Sequence, residues 1–161
     1  MVSWILGDTT TLPPLAVDAV TMTGNVAQVF LSADEWSTTL NAAHAALHGG
    51  GHLVFESRDP TYRGWKEWTQ EHSISFNDTV AGRVEHWVEL TDVAWPLVSF
   101  RHSFRFLASG EVITSESTLR FRDRQEITPS LDSNGFTIVD VRDAPDRPGR
   151  EFVIIARPTS V

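Results

Sequence analysis

Two histidines on neighbouring predicted strands are the residues best suited to acid–base chemistry. Apolar and polar residues alternate over 84–90 and 98–106, and His86 and His102 both fall in the apolar series. An imidazole titrates near neutral pH, so either ring could take a proton from the hydroxyl or amine of a bound small molecule. Ser115 adds a polar group on the next strand of the same face. The alternative is a pair of hydrogen-bonded core histidines, and two histidines alone do not predict a metal site.

Two predicted strand ends form a second group of candidates. The run 17–23, which is rich in β-branched residues, stops at Gly24-Asn25, and the run 53–57 stops at Arg58-Asp59-Pro60. Ligands of parallel α/β sheets bind at the carboxyl ends of the strands, so these loops are expected to carry function. The alternatives are a plain strand-end turn and a surface ion pair of little energetic value. The substrate contacts expected from these loops and from the histidine face are Gln28, Arg58 and Ser115.

A helix must connect these two strands. Ser32 and Glu35 have the spacing of a capping box, and Trp36, Leu40, Ala43 and Leu47 follow at helical period. The run Gly49-Gly50-Gly51 is expected to end the helix in a left-handed C-cap. Strand, helix and strand then form a βαβ unit with parallel strands.

The remaining segments predict one more strand before this unit and a mixed region after it. Residues 4–6 are expected to form a short strand that delivers Asp8 to a loop. A short amphipathic helix is expected between Tyr62 and Glu71, followed by a meander of three antiparallel strands over 84–121 with one apolar and one solvated face. Asp123 should cap a last helix that Pro129 breaks or restarts, and Gly135 should end it. Residues 136–141 and 152–156 predict an antiparallel strand pair.

Composition excludes several classes of protein. The chain has 161 residues, a formal net charge of −8 and no cysteine, which excludes disulfides and thiolate metal sites. An acidic protein without a basic stripe is not expected to bind nucleic acid. No run approaches the length of a membrane span, and we expect a cytoplasmic protein that uses no membrane.

The order of these segments resembles the C-terminal two-thirds of a class I S-adenosylmethionine-dependent methyltransferase of the small-molecule type. The resemblance rests on Gly7-Asp8 followed by Leu12-Pro13, on the run 21–25, on the run 48–58 and on Ser133-Asn134-Gly135-Phe136. It implies an α/β fold, with a partial Rossmann-like parallel sheet, an inserted antiparallel meander and a C-terminal antiparallel strand pair. As domain organisation it implies one domain, with a core of 1–72 and 123–161 and the meander of 73–122 over the active-site side.

The resemblance also implies a cofactor, S-adenosylmethionine, and the residues that meet it. Asp8 matches the position beside the adenine, with a turn that satisfies its own backbone donors as the alternative reading. The loop after the predicted strand 17–23 matches the position under the methionine part of the cofactor. The implied cofactor contacts are Gly7, Asp8, Thr9, Thr23, Gly24 and Asn25.

The glycine-rich turn and acidic residue through which this family holds its cofactor would both precede Met1. The strand at 17–23 would then have an unpaired edge, which invites association. We therefore expect a homo-oligomer, strand complementation by another chain, or the strand at 4–6 shifted inward.

The function expected from the resemblance is methyl transfer to a small molecule, by this chain or by a longer protein of which it is the C-terminal part. The histidine pair would be the base. The alternative is a non-enzymatic small-molecule-binding protein or an inactive methyltransferase-like protein.

Overall fold

The computed structural model describes residues 2–80 and 82–159, which form two compact units. One unit is Pro60–Phe121, and the other contains the described residues on either side of it. Residues 60–72, expected in the α/β core, therefore group with the meander. The strands and helices in chain order are β1 (Val17–Met22), α1 (Ala33–Ala46), β2 (Leu47–Arg58), α2 (Gln70–Ser73), β3 (Ser75–Thr79), β4 (Gly82–Ala94), β5 (Leu97–Phe106), β6 (Val112–Arg120), α3 (Arg124–Ser133), β7 (Phe136–Asp143) and β8 (Glu151–Pro158).

The first unit is an α/β layer built on the sheet β1-β2-β8-β7. β1 and β2 are parallel, whereas β8 pairs antiparallel with both β2 and β7, which confirms the predicted parallel pair and the C-terminal antiparallel pair. Side chains of α1 and of the strands share one core, in which Leu40, Leu53 and Phe136 are fully buried. The expected α/β class is correct.

The predicted helix α1 begins where the sequence indicates and ends earlier. Ser32 and Glu35 form the capping box, and the four residues of the predicted stripe are all buried. The expected glycine C-cap is wrong, because Leu47 is already extended and the three glycines lie inside β2. A Cβ on Gly51 would lie 2.9 Å from the Val17 carbonyl oxygen. Glycine is therefore required there by the close approach of β1, and helix termination is not its role.

The predicted strand at 4–6 is absent, since residues 2–6 have no regular secondary structure. In the described part of the chain β1 consequently pairs with β2 alone. A cavity of about 380 Å³ runs along this edge and is lined mostly by apolar side chains of β1, α1 and residues 9–15. The inward-shifted strand expected as one way of covering the edge is thus wrong.

The predicted break of α3 at Pro129 does not occur. The helix starts at the Asp123 cap, whose side chain accepts from the Glu126 amide, and continues through Pro129 to Ser133. Ile127 and Leu131 anchor it in the core. Gly135 follows its end with a positive φ of 76°, as predicted.

The second unit is a sheet of four antiparallel strands in the order β3-β4-β5-β6. The sequence predicted the last three and missed β3, whose residues are all exposed. In place of the predicted helix between Tyr62 and Glu71 there are a 3₁₀ turn, Gly64–Glu67, and the four-residue α2. The predicted solvated face is also only partly correct, because Glu85, Trp87 and Ser103 on it are buried.

A pair of matched glycine substitutions tests the account of β2. Gly51→Ala should lower the free energy of unfolding by about 1–3 kcal/mol, since the new methyl group overpacks against Leu47 and the β1 backbone. Gly49→Ala should be neutral or stabilising by about 0.4–1 kcal/mol, because nothing lies within 4 Å of its Cβ position. Urea unfolding measures both. Equal losses in the two variants would contradict the strand assignment.

Candidate functional site

The loop after β1 has a tightly constrained backbone. Gly24 and Asn25 both have positive φ, at 66° and 60°. Glycine reaches this region without steric cost, and asparagine is one of the few other residues that tolerates it. The Gly24 amide donates to the Glu56 carboxylate at the end of β2. The two carboxyl-terminal strand ends are thereby joined.

A buried carboxylate lies beside Asn25. Glu151 is the first residue of β8, and its register partner is Arg58, the last residue of β2. Its Oε1 accepts hydrogen bonds from Nδ2 of Asn25 at 3.0 Å and from a guanidinium nitrogen of Arg147 at 2.7 Å. The Arg58 Nε lies 3.8 Å away. Because the Glu151 side chain is only 3% exposed, these partners compensate a charge that would otherwise be costly to bury.

Gln28 completes the cluster from the 3₁₀ turn Val26–Val29. Its Oε1 accepts from the Arg58 guanidinium at 2.9 Å. Burial lowers the pKa of Arg58, and the Glu151 carboxylate partly opposes this shift. The predicted loop residue Asn25 and the predicted substrate contacts Gln28 and Arg58 therefore lie in one polar cluster at the carboxyl ends of β1 and β2. We call these residues, with Glu151 and Arg147, the strand-end cluster.

The hydrogen-bond chemistry of the two amides is fixed by their charged neighbours. Asn25 must turn its NH₂ group to the carboxylate, and Gln28 must turn its oxygen to the guanidinium. Within the described residues this leaves three buried atoms without a hydrogen bond: the acceptors Asn25 Oδ1 and Glu151 Oε2, and the donor Gln28 Nε2. Buried polar atoms are nearly always paired in folded proteins, so these three atoms can each take a further hydrogen bond, from water or from a ligand.

Arg122 holds the same loop from its other side. Its side chain is 4% exposed and donates to the carbonyl oxygens of Ala27 at 3.1 Å and Phe30 at 2.6 Å. The guanidinium also lies over the Trp36 ring. The loop is therefore clamped by Glu151 at Asn25 and by Arg122 around Gln28.

The predicted adenine contact Asp8 has a local role. It caps the 3₁₀ turn Thr9–Thr11 and accepts from the backbone and hydroxyl of Thr10, and these bonds lower the pKa of the exposed carboxyl. Gly7 precedes this cap. Thr9 lines the cavity along β1, together with Val26 from the loop that carries Asn25. The backbone carbonyl oxygen of Thr23 accepts a hydrogen bond from the Val26 amide within that loop. Cofactor contact by these residues stays a prediction.

The two predicted catalytic histidines form a pair in the second unit. Nε2 of His86 and Nδ1 of His102 are 2.8 Å apart, and the rings stack. Burial, and secondly His86, lower the pKa of His102, which favours its neutral form. Ser115 is the β6 register partner of His102. The predicted common face is correct, and the predicted role as base stays a prediction.

Sequence reasoning missed Glu151, Arg147 and Arg122. Glu151 and Asn25 are 126 positions apart, and a charged residue at the start of a strand carries no local sign of burial. The one available signal was the position of Arg122 and Glu151 at the borders of predicted elements.

No family model matches the chain, and no curated protein of significant similarity was found. Solved structures with a similar fold do exist. The methyltransferase CcbJ from Streptomyces caelestis aligns with 97% of the chain at a TM-score of 0.73 and 18% identity. The sugar N-methyltransferase KedS8 from Streptoalloteichus aligns with 96% at a TM-score of 0.74 and 12% identity. CalS10, an amino pentose methyltransferase from Micromonospora echinaspora solved with S-adenosylmethionine, aligns with 95% at 0.67 and 18% identity.

The chain has a class I methyltransferase fold. It spans 61–63% of the length of these three chains. The strand-end cluster lies at the carboxyl ends of β1 and β2, and the carboxyl ends of the strands are where α/β proteins bind ligands. None of the helices in residues 2–80 and 82–159 is long and apolar enough to cross a membrane.

The Arg122 clamp gives a testable stability difference. Arg122→Lys should lower the free energy of unfolding by about 1–3 kcal/mol, because one ammonium cannot replace a planar fork that serves several carbonyl groups. The exposed Arg124 is the control, and Arg124→Lys should change stability by less than about 0.5 kcal/mol. Urea denaturation compares them. A neutral Arg122→Lys would show that the loop does not depend on the clamp.

Proposed function

We propose that this chain is a cytoplasmic S-adenosylmethionine-dependent methyltransferase of a small molecule, or the C-terminal part of one. The observation that carries the proposal is the strand-end cluster, with three unpartnered buried polar atoms at the ligand-binding edge of a class I fold. The similar structures CcbJ, KedS8 and CalS10 are described as methyltransferases, which supports the reaction class. The names of KedS8 and CalS10 also support a small-molecule acceptor.

The unpartnered atoms fit the methionine end of the cofactor. An α-ammonium group donates hydrogen bonds and an α-carboxylate accepts them. Asn25 Oδ1 and Glu151 Oε2 would serve the ammonium, and Gln28 Nε2 would serve the carboxylate. The three atoms are buried, so the loop after β1 must open to admit the ligand. In this proposal Gly7, Asp8 and Thr9 lie against the adenine.

The cofactor would supply an electrophilic methyl group on a sulfonium centre, and the chain would mainly position the acceptor. Contact with the acceptor stays a prediction for Arg58 in the first unit and for Ser115 in the second. The histidine pair of the second unit stays the predicted base, because a neutral imidazole is a competent base near pH 7. Methyl transfer itself requires no metal ligand from the chain.

A second candidate function is a non-catalytic methyltransferase-like protein. The observation that favours it is that these 161 residues contain no counterpart of the family's glycine-rich turn. We therefore expect weak cofactor binding by the chain alone.

The proposal predicts which amide signals respond to the product S-adenosylhomocysteine. In ¹⁵N-labelled protein, millimolar ligand should shift the side-chain NH₂ signals of Asn25 and Gln28 and the backbone amides of 8–9 and 23–28. Adenosine alone should shift only the signals near Asp8, and homocysteine alone only those near Asn25. Each fragment thus serves as the control for the other half of the site.

Two outcomes would contradict the proposal. Absence of shifts at millimolar ligand would leave the non-catalytic reading. Shifts confined to residues outside 7–9 and 23–28 would show that the transfer of site residues from the family is wrong. A different result, micromolar affinity in a well-behaved monomer, would contradict only the expectation of weak binding and would show that the glycine-rich turn is dispensable.

We also propose that another chain, or a second copy, covers the free edge of β1. The edge carries an apolar cavity, and unpaired strands beside apolar surface associate readily. Leu12 and Leu15 line this cavity and are 39% and 37% exposed. They are the side chains through which association can be tested without disturbing the core.

Light scattering should show the isolated chain as a dimer or larger, and Leu12→Lys with Leu15→Lys should shift the mass toward the monomer. A charge placed in the cavity mouth opposes burial of that surface. Val139→Lys is the control, since Val139 is exposed on β7 at the other end of the sheet. A parent protein that stays monomeric at high concentration would refute association through β1.

A further inference from the structure

One face of the meander is covered along half of its length and open along the other half. At the covered end, Trp65 and Trp68 pack over Val98, Phe100, Leu119 and Phe121. At the other end lies a groove of about 320 Å³, lined by Asn77, Thr79, Val84, Phe104, Phe106 and Ile113. We call it the meander groove. Small-molecule sites begin at about this volume.

Strand register places the histidine pair at the boundary between the two halves. His86 is opposite Phe104, a lining residue, and His102 is opposite Val88, which packs on the covered side. The Phe104 ring stacks on His86, with ring centroids 4.6 Å apart. The groove therefore has apolar and aromatic walls with an amide and a hydroxyl on β3, and the histidine pair stacks beside its lining residue Phe104.

The histidine pair can serve either a donor or an acceptor. One proton is shared between His86 Nε2 and His102 Nδ1. If His86 donates, Nε2 of His102 carries a hydrogen, and if His102 donates, its Nε2 is an acceptor. Ser75 lies 3.4 Å from the outer nitrogen of His86, and its hydroxyl can adapt to both arrangements. Among residues 2–80 and 82–159, His102 Nε2 has no hydrogen-bond partner of its own.

We propose that the meander groove binds a small uncharged aromatic molecule that carries a hydroxyl or amine group, with His102 Nε2 as the polar contact. The apolar lining favours an aromatic body, and the single adaptable nitrogen favours one polar substituent. Burial and the neighbouring imidazole lower the pKa of His102, so the ring is neutral and does not require an anion. The site shares His102 with the base proposed above and in that respect rests on the proposed function, and a titration without cofactor keeps a failure of this site distinct from a failure of methyl transfer.

2-Naphthol is a suitable probe, with naphthalene as its counterpart without a hydroxyl. Fluorescence titration of the full chain, without cofactor, should show saturable 2-naphthol binding. Ile113→Arg should weaken it at least about tenfold, because Ile113 is half exposed and lines the groove. Val112→Arg is the matched control, since Val112 is about equally exposed on the same strand but does not line the groove. The affinity of this variant for 2-naphthol should stay within about twofold of that of the parent protein.

His102→Phe separates the polar contact from the apolar walls. It should weaken 2-naphthol binding by about threefold to tenfold, the equivalent of one hydrogen bond, and leave naphthalene binding unchanged. Equal effects of Ile113→Arg and Val112→Arg would overturn the proposal, as would equal effects of His102→Phe on both probes. A parent mass that falls to the monomer only in Ile113→Arg would also overturn it, because the groove would then be covered by a second copy.

Discussion

The carboxylate of Glu151 is the charge on which the strand-end cluster depends. A carboxylate sealed from water is costly unless charged or polar donors surround it, and Glu151 obtains them from Asn25 and Arg147, with Arg58 close by. Those donors come from the loop after β1, from the connection between β7 and β8, and from the end of β2. One buried charge therefore fixes the relative position of three segments that are distant in sequence. The left-handed backbone of Asn25 is maintained because its side chain is held.

The same charge determines the chemistry that remains available. The Glu151 carboxylate binds the NH₂ group of Asn25, so the Asn25 oxygen faces away from it. The Arg58 guanidinium binds the oxygen of Gln28, so the Gln28 NH₂ group faces away from it. Had either neighbour been apolar, the amide orientation would be undetermined and the unpartnered atoms would indicate no particular ligand. With both fixed, the cluster offers two acceptors and one donor, a set that suits an ammonium beside a carboxylate. Arg122 gives the loop a second anchor at the carbonyl oxygens of Ala27 and Phe30.

Local sequence signals predicted the elements that local physics determines. The capping box at Ser32 and Glu35, the stripe on α1 and the presence of strands β4 to β6 were correct, because each depends on residues within a few positions. The three glycines were misread as a helix C-cap, since all three lie inside β2 and Gly51 is required by the close approach of the β1 backbone. Residues 4–6 have strand-like composition but pair with no neighbouring strand. The burial of Glu151 could not be predicted from its position at a strand border, because it depends on Asn25 and Arg58, which are distant in sequence, as well as on Arg147.

A double-mutant cycle tests most directly whether Glu151 and Asn25 act as one unit. Asn25→Ala, Glu151→Gln and the double variant are unfolded in urea, and the strain of alanine at a positive φ is common to both legs and cancels. The account predicts a coupling free energy of about 1 kcal/mol or more, as expected for residues in one hydrogen-bonded network. Additivity within about 0.5 kcal/mol would show that the two residues are energetically independent, and the cluster would then not hold the loop.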